Sequence, residues 1–194
     1  MGLRSETVVS AVQSGDADRV NDTLDAVRDA GTVEKARLFA DCFDDCRALY
    51  EDADDGYVRQ SVVRLLASAD PRLGAVGARK AESEGLELTD DGDDYRDELV
   101  EVYLTALQDD DGRVRNAAKR ELTPLAIRFE MHGENARLDA LHEQLDELAD
   151  EVSDEKRDHV VDAREQVGAS ARPGGRGLGS VFDRFGDEMR ESDD

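Results

Sequence analysis

Asp55-Gly56-Tyr57-Val58-Arg59-Gln60-Ser61-Val62-Val63-Arg64-Leu65-Leu66 aligns without gaps on Asp111-Gly112-Arg113-Val114-Arg115-Asn116-Ala117-Ala118-Lys119-Arg120-Glu121-Leu122. Asp, Gly, Val, Arg, Arg and Leu recur at equivalent positions. Each residue has a local reason to be there. An Asp ahead of a helix caps its free N–H groups, a Gly permits the turn, and an Arg four residues on can pair with the Asp. One such stretch would say little. Two, each behind an amphipathic helix and an acidic turn, predict a repeated unit of helix, Asp-Gly turn, helix.

Helical periodicity extends outward from this pair, and sustained alternation of the strand type is absent. A short helix is expected over 5–14 with Ser5 as its N-cap, then one over 17–30 capped by Asp16, with Val20, Leu24 and Val27 on one face. The stripe Leu38, Phe39, Cys42, Phe43, Cys46, Leu49 and Tyr50 predicts a core-facing helix over 33–51. Helices follow over 57–69 and, more weakly, from Pro71 to 84. An acidic loop over 85–94 leads to a helix over 95–108. Pro124 should kink or restart the helix after Gly112, with Thr123 as the new N-cap. Leu138, Leu141, Leu145 and Leu148 form a seam over 135–152, and a last helix is expected over 155–167. Residues 168–180, GASARPGGRGLGS, read as a flexible linker, and 181–194 as a short acidic amphipathic tail.

The D-G-x-V-R-x-x-[AS]-[AV]-x-R-x-L pattern resembles the second helix of a HEAT repeat. Asp55 and Asp111 match that family's turn aspartate, and Arg59 and Arg115 its helix arginine. The resemblance implies that Asp and Arg pair within and between stacked repeats. It also implies an adaptor that presents helical surfaces to other proteins. The two motifs stand 56 residues apart, beyond the usual ~40–47, and the segment 71–84, where Val76 and Ala78-Arg79 echo the pattern, reads as a degenerate repeat. The expected architecture is all-α: a short α-solenoid of HEAT-like helix pairs over 1–167, then the linker and the tail.

The charge is extreme. Of 194 residues, 48 are acidic and 25 basic, a net charge of −23. There are 21 Arg against 4 Lys, and 30 Asp against 18 Glu. This composition resembles that of proteins from salt-accumulating halophiles, where short carboxylates hold water and cations. Molar salt cuts the Debye length to about 3 Å and screens the self-repulsion. Such a field repels phosphate backbones, so nucleic acid is a disfavoured partner. No apolar run approaches the ~18 residues of a membrane helix. The lack of a charged-then-apolar leader, with only Cys42 and Cys46 as thiols, points to a reducing cytoplasm.

Chemical motifs are sparse. Cys42 and Cys46 lie on the apolar stripe, and His132, His142 and His159 have no ligand-type spacing to them, so no metal is expected. Residues 87–98 have the length of an EF-hand loop, but Glu87, Thr89 and Asp94 are wrong for it, and a solvated loop is the expectation. No nucleophile motif, phosphate loop or zinc-protease signature occurs, so neither catalysis nor a cofactor is expected. The helix 112–131 carries Arg113, Arg115, Lys119, Arg120 and Arg128 against Glu121 and Glu130. These cations either pair with acidic neighbouring helices or make a docking ridge of Arg115 and Lys119. In the tail, Val181, Phe182, Phe185 and Met189 would share one helical face suited to a partner or to self-docking. The function expected is a non-enzymatic protein-interaction adaptor. The alternatives are a nucleic-acid accessory protein using helix 112–131 and a HEAT-like lyase or repair enzyme.

If the charge is a salt adaptation, the melting temperature should rise steeply in a KCl titration from low to molar concentration. A melting temperature independent of KCl would contradict that.

Overall fold

The structure, a computed structural model, describes residues 3–72, 85 and 95–170. They form eight helices: α1 (Ser5–Gln13), α2 (Ala17–Asp29), α3 (Thr32–Asp52), α4 (Gly56–Ala69), α5 (Tyr95–Leu107), α6 (Gly112–Met131), α7 (Asn135–Glu151) and α8 (Asp154–Ser170). No strand occurs among the described residues, and no helix among them is long and apolar enough to cross a membrane. The expected weak helix up to 84, the acidic loop, and the tail with Val181, Phe182, Phe185 and Met189 lie outside the described residues.

The helices pair in chain order as four hairpins, α1–α2, α3–α4, α5–α6 and α7–α8. The second helices pack side by side in one row: α2 on α4, α4 on α6, α6 on α8. The first helices form the other layer. There α1 packs on α3, and side chains span the remaining gaps. Phe39 meets Tyr95 edge-on at 5.4 Å, and Arg47 reaches Glu98 at 2.6 Å. Arg137 reaches Asp97 at 3.0 Å. The protein is all-α, and its layered arrangement is consistent with a helical-repeat fold.

The core explains why the layers hold. One continuous apolar cluster runs from Val8 to Val167. Leu24, Phe39, Leu65, Leu66, Leu99, Leu122, Leu125 and Leu145 are all fully buried within it. Each such side chain contributes roughly 1.5–3 kcal/mol by leaving water. Ala117, Ala118 and Ala126 on α6 are buried too, and their small size lets α6 lie between α4 and α8. Cys42 and Cys46 are free thiols inside the same cluster.

Several local expectations are corrected. Ser5 is the first residue of α1 rather than its cap; Arg4 holds the cap position and makes no side-chain cap bond. Asp16 does cap α2, accepting from the Arg19 N–H at 2.8 Å. Pro124 does not restart the helix: α6 runs through it to Met131. Leu122, Leu125, Ala126 and Phe129 are buried on both sides of the proline, and this shared apolar face outweighs the one helical bond that proline removes. Thr123 therefore caps nothing, and its hydroxyl instead reaches Gln166 Oε1 at 3.3 Å. The last helix continues to Ser170, into the expected linker, with Val167 buried and Gly168 against His142.

Phe39→Ala should cost about 3–5 kcal/mol in denaturant unfolding, because it removes the ring that joins Phe43 on α3 to Tyr95 on α5. A loss below about 1 kcal/mol would contradict the core described above.

Candidate functional site

The motif residues converge where consecutive hairpins meet at their turns. Asp55 Oδ1 accepts from the Tyr57 N–H at 2.8 Å, and Asp111 Oδ1 from the Arg113 N–H at 2.8 Å. Arg59 Nη1 donates to the carbonyls of Ala53 (2.7 Å) and Asp54 (3.1 Å). Arg115 Nη1 donates to the carbonyls of Asp109 (2.7 Å) and Asp110 (2.9 Å). The two sets are equivalent residue for residue. Each arginine satisfies carbonyls that the end of a helix leaves without partners. Neither binds the Asp four residues before it; Asp111 instead pairs with Arg113 at 2.6 Å. Val58 and Val114 point into the core.

A partial third copy escaped the sequence alignment. Arg157 stands four residues after Ser153, as Arg59 follows Asp55, but its Nε donates to the Ala149 carbonyl at 2.9 Å, eight residues back rather than five and six. Ser153-Asp154 replaces Asp-Gly there, so only the four-residue offset and the buried Val160 could have revealed it. The residues preceding the second helices, Asp16, Asp55, Asp111 and Ser153, lie 39, 56 and 42 residues apart. The long interval alone contains the undescribed 73–84 and 86–94.

Between hairpins the hub is Asp109, which the sequence did not single out. Arg59 grips it with two bonds, Nε to Oδ2 at 2.7 Å and Nη2 to Oδ1 at 2.9 Å. The Tyr50 hydroxyl donates to Oδ2 at 2.8 Å and the Asp111 N–H to Oδ1 at 2.8 Å. Its side chain is only 5% exposed. The equivalent residue one hairpin earlier is Ala53, and the reason is visible. The first hairpin has Val20 where the later ones have arginine, so no guanidinium arrives to be received. Further along, Lys156 binds Asp110 Oδ1 and the Gln108 carbonyl, both at 2.6 Å, and Arg115 faces Glu155 at 3.7 Å.

Gly56 has a different reason from the one its turn suggested. Its backbone is not left-handed. A Cβ on it would collide with the Asp111 carboxylate of the next hairpin, so the glycine makes room for the stacking. The electrostatics follow the geometry. Burial alone would raise Asp109, but the bonds from Arg59, the Asp111 N–H and Tyr50 win and hold it below its ordinary value. Arg113 holds Asp111 down to about 2. Burial and the bond to Asp109 push the Tyr50 phenol well up.

The cations of α6 are spoken for. Lys119 pairs with Asp162 at 3.0 Å, Arg120 with Glu121 at 3.2 Å and Arg128 with Asp70 at 2.5 Å. Arg115 is 5% exposed. The Arg115–Lys119 ridge therefore lies under α8 instead of facing a partner. His159 sits beside it, its pKa lowered by burial and by these two cations. Hydrogen bonding with Cys42 and burial push the Cys46 thiol up. Among the described residues no group of three His, Cys, Asp or Glu side chains comes together as a metal site.

A different basic feature opens on the row of second helices. Arg28, Lys35, Gln60, Arg64, Ala67, Ser68, Arg72, Arg120 and Glu121 line a groove of about 580 Å³. Five cations face one carboxylate in its wall. Arg28 is paired with Asp25 at 2.7 Å and Arg120 with Glu121. Lys35 donates to the Arg28 carbonyl at 2.8 Å and Arg64 to the Asn21 side-chain oxygen at 3.0 Å, both neutral acceptors. Among the described residues no carboxylate pairs with Lys35, Arg64 or Arg72. Arg72 follows α4 with a φ of 51°.

Asp109→Asn should lower stability at neutral pH, because the partly buried guanidinium of Arg59 loses its counter-charge. It should also flatten the acid limb. A depressed carboxylate contributes stability that is present above its unfolded value of about 4 and is lost as pH falls through the folded value. In the wild type, Asp109 and Asp111 should therefore cost stability between about pH 4 and pH 2. An identical acid limb in the variant, read by urea unfolding at each pH, would contradict the hub.

No family model matches the chain, and no curated protein or solved structure matches it.

Proposed function

We propose that this protein is a non-enzymatic protein-interaction adaptor built of HEAT-like repeats, and that its groove on α2, the start of α3, α4 and α6 receives an acidic segment of a partner protein. The observation that carries this is the group Lys35, Arg64 and Arg72. In a chain with 48 acidic side chains for 25 basic ones, three cations with no carboxylate partner among the described residues converge on one groove. Arginine's planar fork binds carboxylates in pairs of hydrogen bonds, and two of the three are arginines.

The size of the partner element follows from the field around the groove. A DNA duplex brings one charge per ≈ 1.7 Å and would have to lie along a protein of net charge −23. A short acidic peptide enters the groove alone. Its contacts form at bonding distance, within even the ~3 Å Debye length of molar salt. The compartment that fits the buried free thiols Cys42 and Cys46 is a reducing cytoplasm.

A fluorescent twelve-residue poly-aspartate peptide titrated onto the full chain tests this. Binding should weaken at least about tenfold in Arg64→Glu with Arg72→Glu, since both charges invert within the site. Equal affinity in the variant, or no binding to either protein, would overturn the assignment. Tighter binding of a duplex oligonucleotide than of the peptide would favour the nucleic-acid reading instead.

A further inference from the structure

We infer that Arg128 keeps one of the groove's cations, Arg72, open to its ligand by holding the carboxylate placed to neutralise it, that of Asp70. This rests on the groove being a site for acidic segments and adds how that site is kept free.

The chain contains its own comparison. Asp111 and Asp70 each accept, through Oδ1, the N–H of the residue two places on: Arg113 at 2.8 Å and Arg72 at 2.9 Å. The difference lies in the second carboxylate oxygen. At Asp111 the Arg113 guanidinium turns back onto the same carboxylate, Nη2 to Oδ2 at 2.6 Å. At Asp70 it does not. There Arg128 Nη2, coming from α6, takes Oδ2 at 2.5 Å. Arg72 lines the groove instead.

Two locally unfavourable features meet at this pair. Arg72 has a φ of 51°, a left-handed backbone that a residue with a side chain adopts only when its surroundings hold it there. The bond from its N–H to Asp70 does the holding. Arg128 has two buried donors, Nε and Nη1, with no acceptor among the described residues. Arg59, by contrast, uses Nε and both Nη groups. A buried donor left unmade costs stability, and a pair that served the fold alone would satisfy it. Local costs of this kind collect at ligand clamps, and the groove adjoins this one.

Burial makes the diversion effective. The Asp70 side chain is 5% exposed and that of Arg128 16%, so water screens their attraction weakly. Without Arg128, Asp70 would be a buried charge lacking a cation, a costly state. The Arg72 guanidinium, two residues on, is placed to relieve it as Arg113 pairs with Asp111. The groove would then lose a cation. Arg128 is thus a positioning residue: it lies outside the groove wall and acts through Arg72.

Poly-aspartate binding to the full chain tests this, in salt and at a temperature where circular dichroism shows each variant folded. Arg128→Met should weaken binding at least about fivefold, because Asp70 then claims Arg72. Adding Asp70→Asn should restore affinity to within about twofold of the wild type, since the amide still accepts the Arg72 N–H but carries no charge. Arg72→Gly suits the left-handed backbone and removes only an exposed side chain. It should weaken binding at least about fivefold, and Arg128→Met should add nothing to it. An equal further loss in that background would mark a purely structural role for Arg128 and overturn the inference. If Arg128→Met does not fold, the neutral pair and Arg72→Gly decide: weak binding by the first, or unchanged binding by the second, would overturn it. Binding that Arg64→Glu with Arg72→Glu weakens but Arg128→Met leaves unchanged would overturn this inference alone. No binding to the wild type would overturn the groove reading itself.

Discussion

The Asp109 carboxylate is almost wholly withdrawn from water, and a buried charge costs several kcal/mol unless every lone pair finds a donor. It finds four: two from Arg59, one from Tyr50 and one from the Asp111 N–H. These donors come from the end of α3, the start of α4 and the turn before α6. The constraint therefore ties two hairpins together at one point. It also accounts for residues that do not touch it. Gly56 lacks a side chain so that Asp111 can come close, and Ala53 replaces the aspartate where no arginine arrives. The apolar cluster supplies the larger energy, but it is non-directional. The turn network sets the register in which the second and third hairpins stack.

The same economy governs charge elsewhere. Many cations of the described fold pair with carboxylates on a neighbouring helix or turn, as with Arg47 and Glu98 or Lys119 and Asp162. An acid excess makes such pairing easy. The groove on the row of second helices is a place where three cations, Lys35, Arg64 and Arg72, gather with no carboxylate paired to them among the described residues. Architecture and candidate function share a cause: the stacked second helices leave a furrow, and cations outnumber carboxylates in its wall.

Much of the fold was legible in the chain. Valines, leucines and phenylalanines at helical spacing marked most helices, and Asp16, Asp55 and Asp111 announced their caps. What escaped has physical reasons. Pro124 looked like a break because the burial that carries α6 through it is tertiary. Ser153-Asp154 hid the third arginine because the cap residue and the glycine both changed. Asp109 was masked by Asp110 and Asp111, since in a run of acids only the structure says which one meets Arg59. The groove was invisible because its cations, at positions 28, 35, 64, 72 and 120, are scattered along the chain among acids. Arg115 and Lys119 looked like a ridge because the sequence does not say which helix covers them.

The stacking account stands on the coupling between Arg59 and Asp109, and a double-mutant cycle measures it directly. Arg59→Ala, Asp109→Ala and the double variant should be compared with the wild type by urea unfolding at neutral pH. A coupling of at least about 1.5 kcal/mol is expected for a bidentate, largely buried pair. Additive losses, within about 0.5 kcal/mol, would mean that the two residues act independently and that this clamp does not hold the second and third hairpins in register.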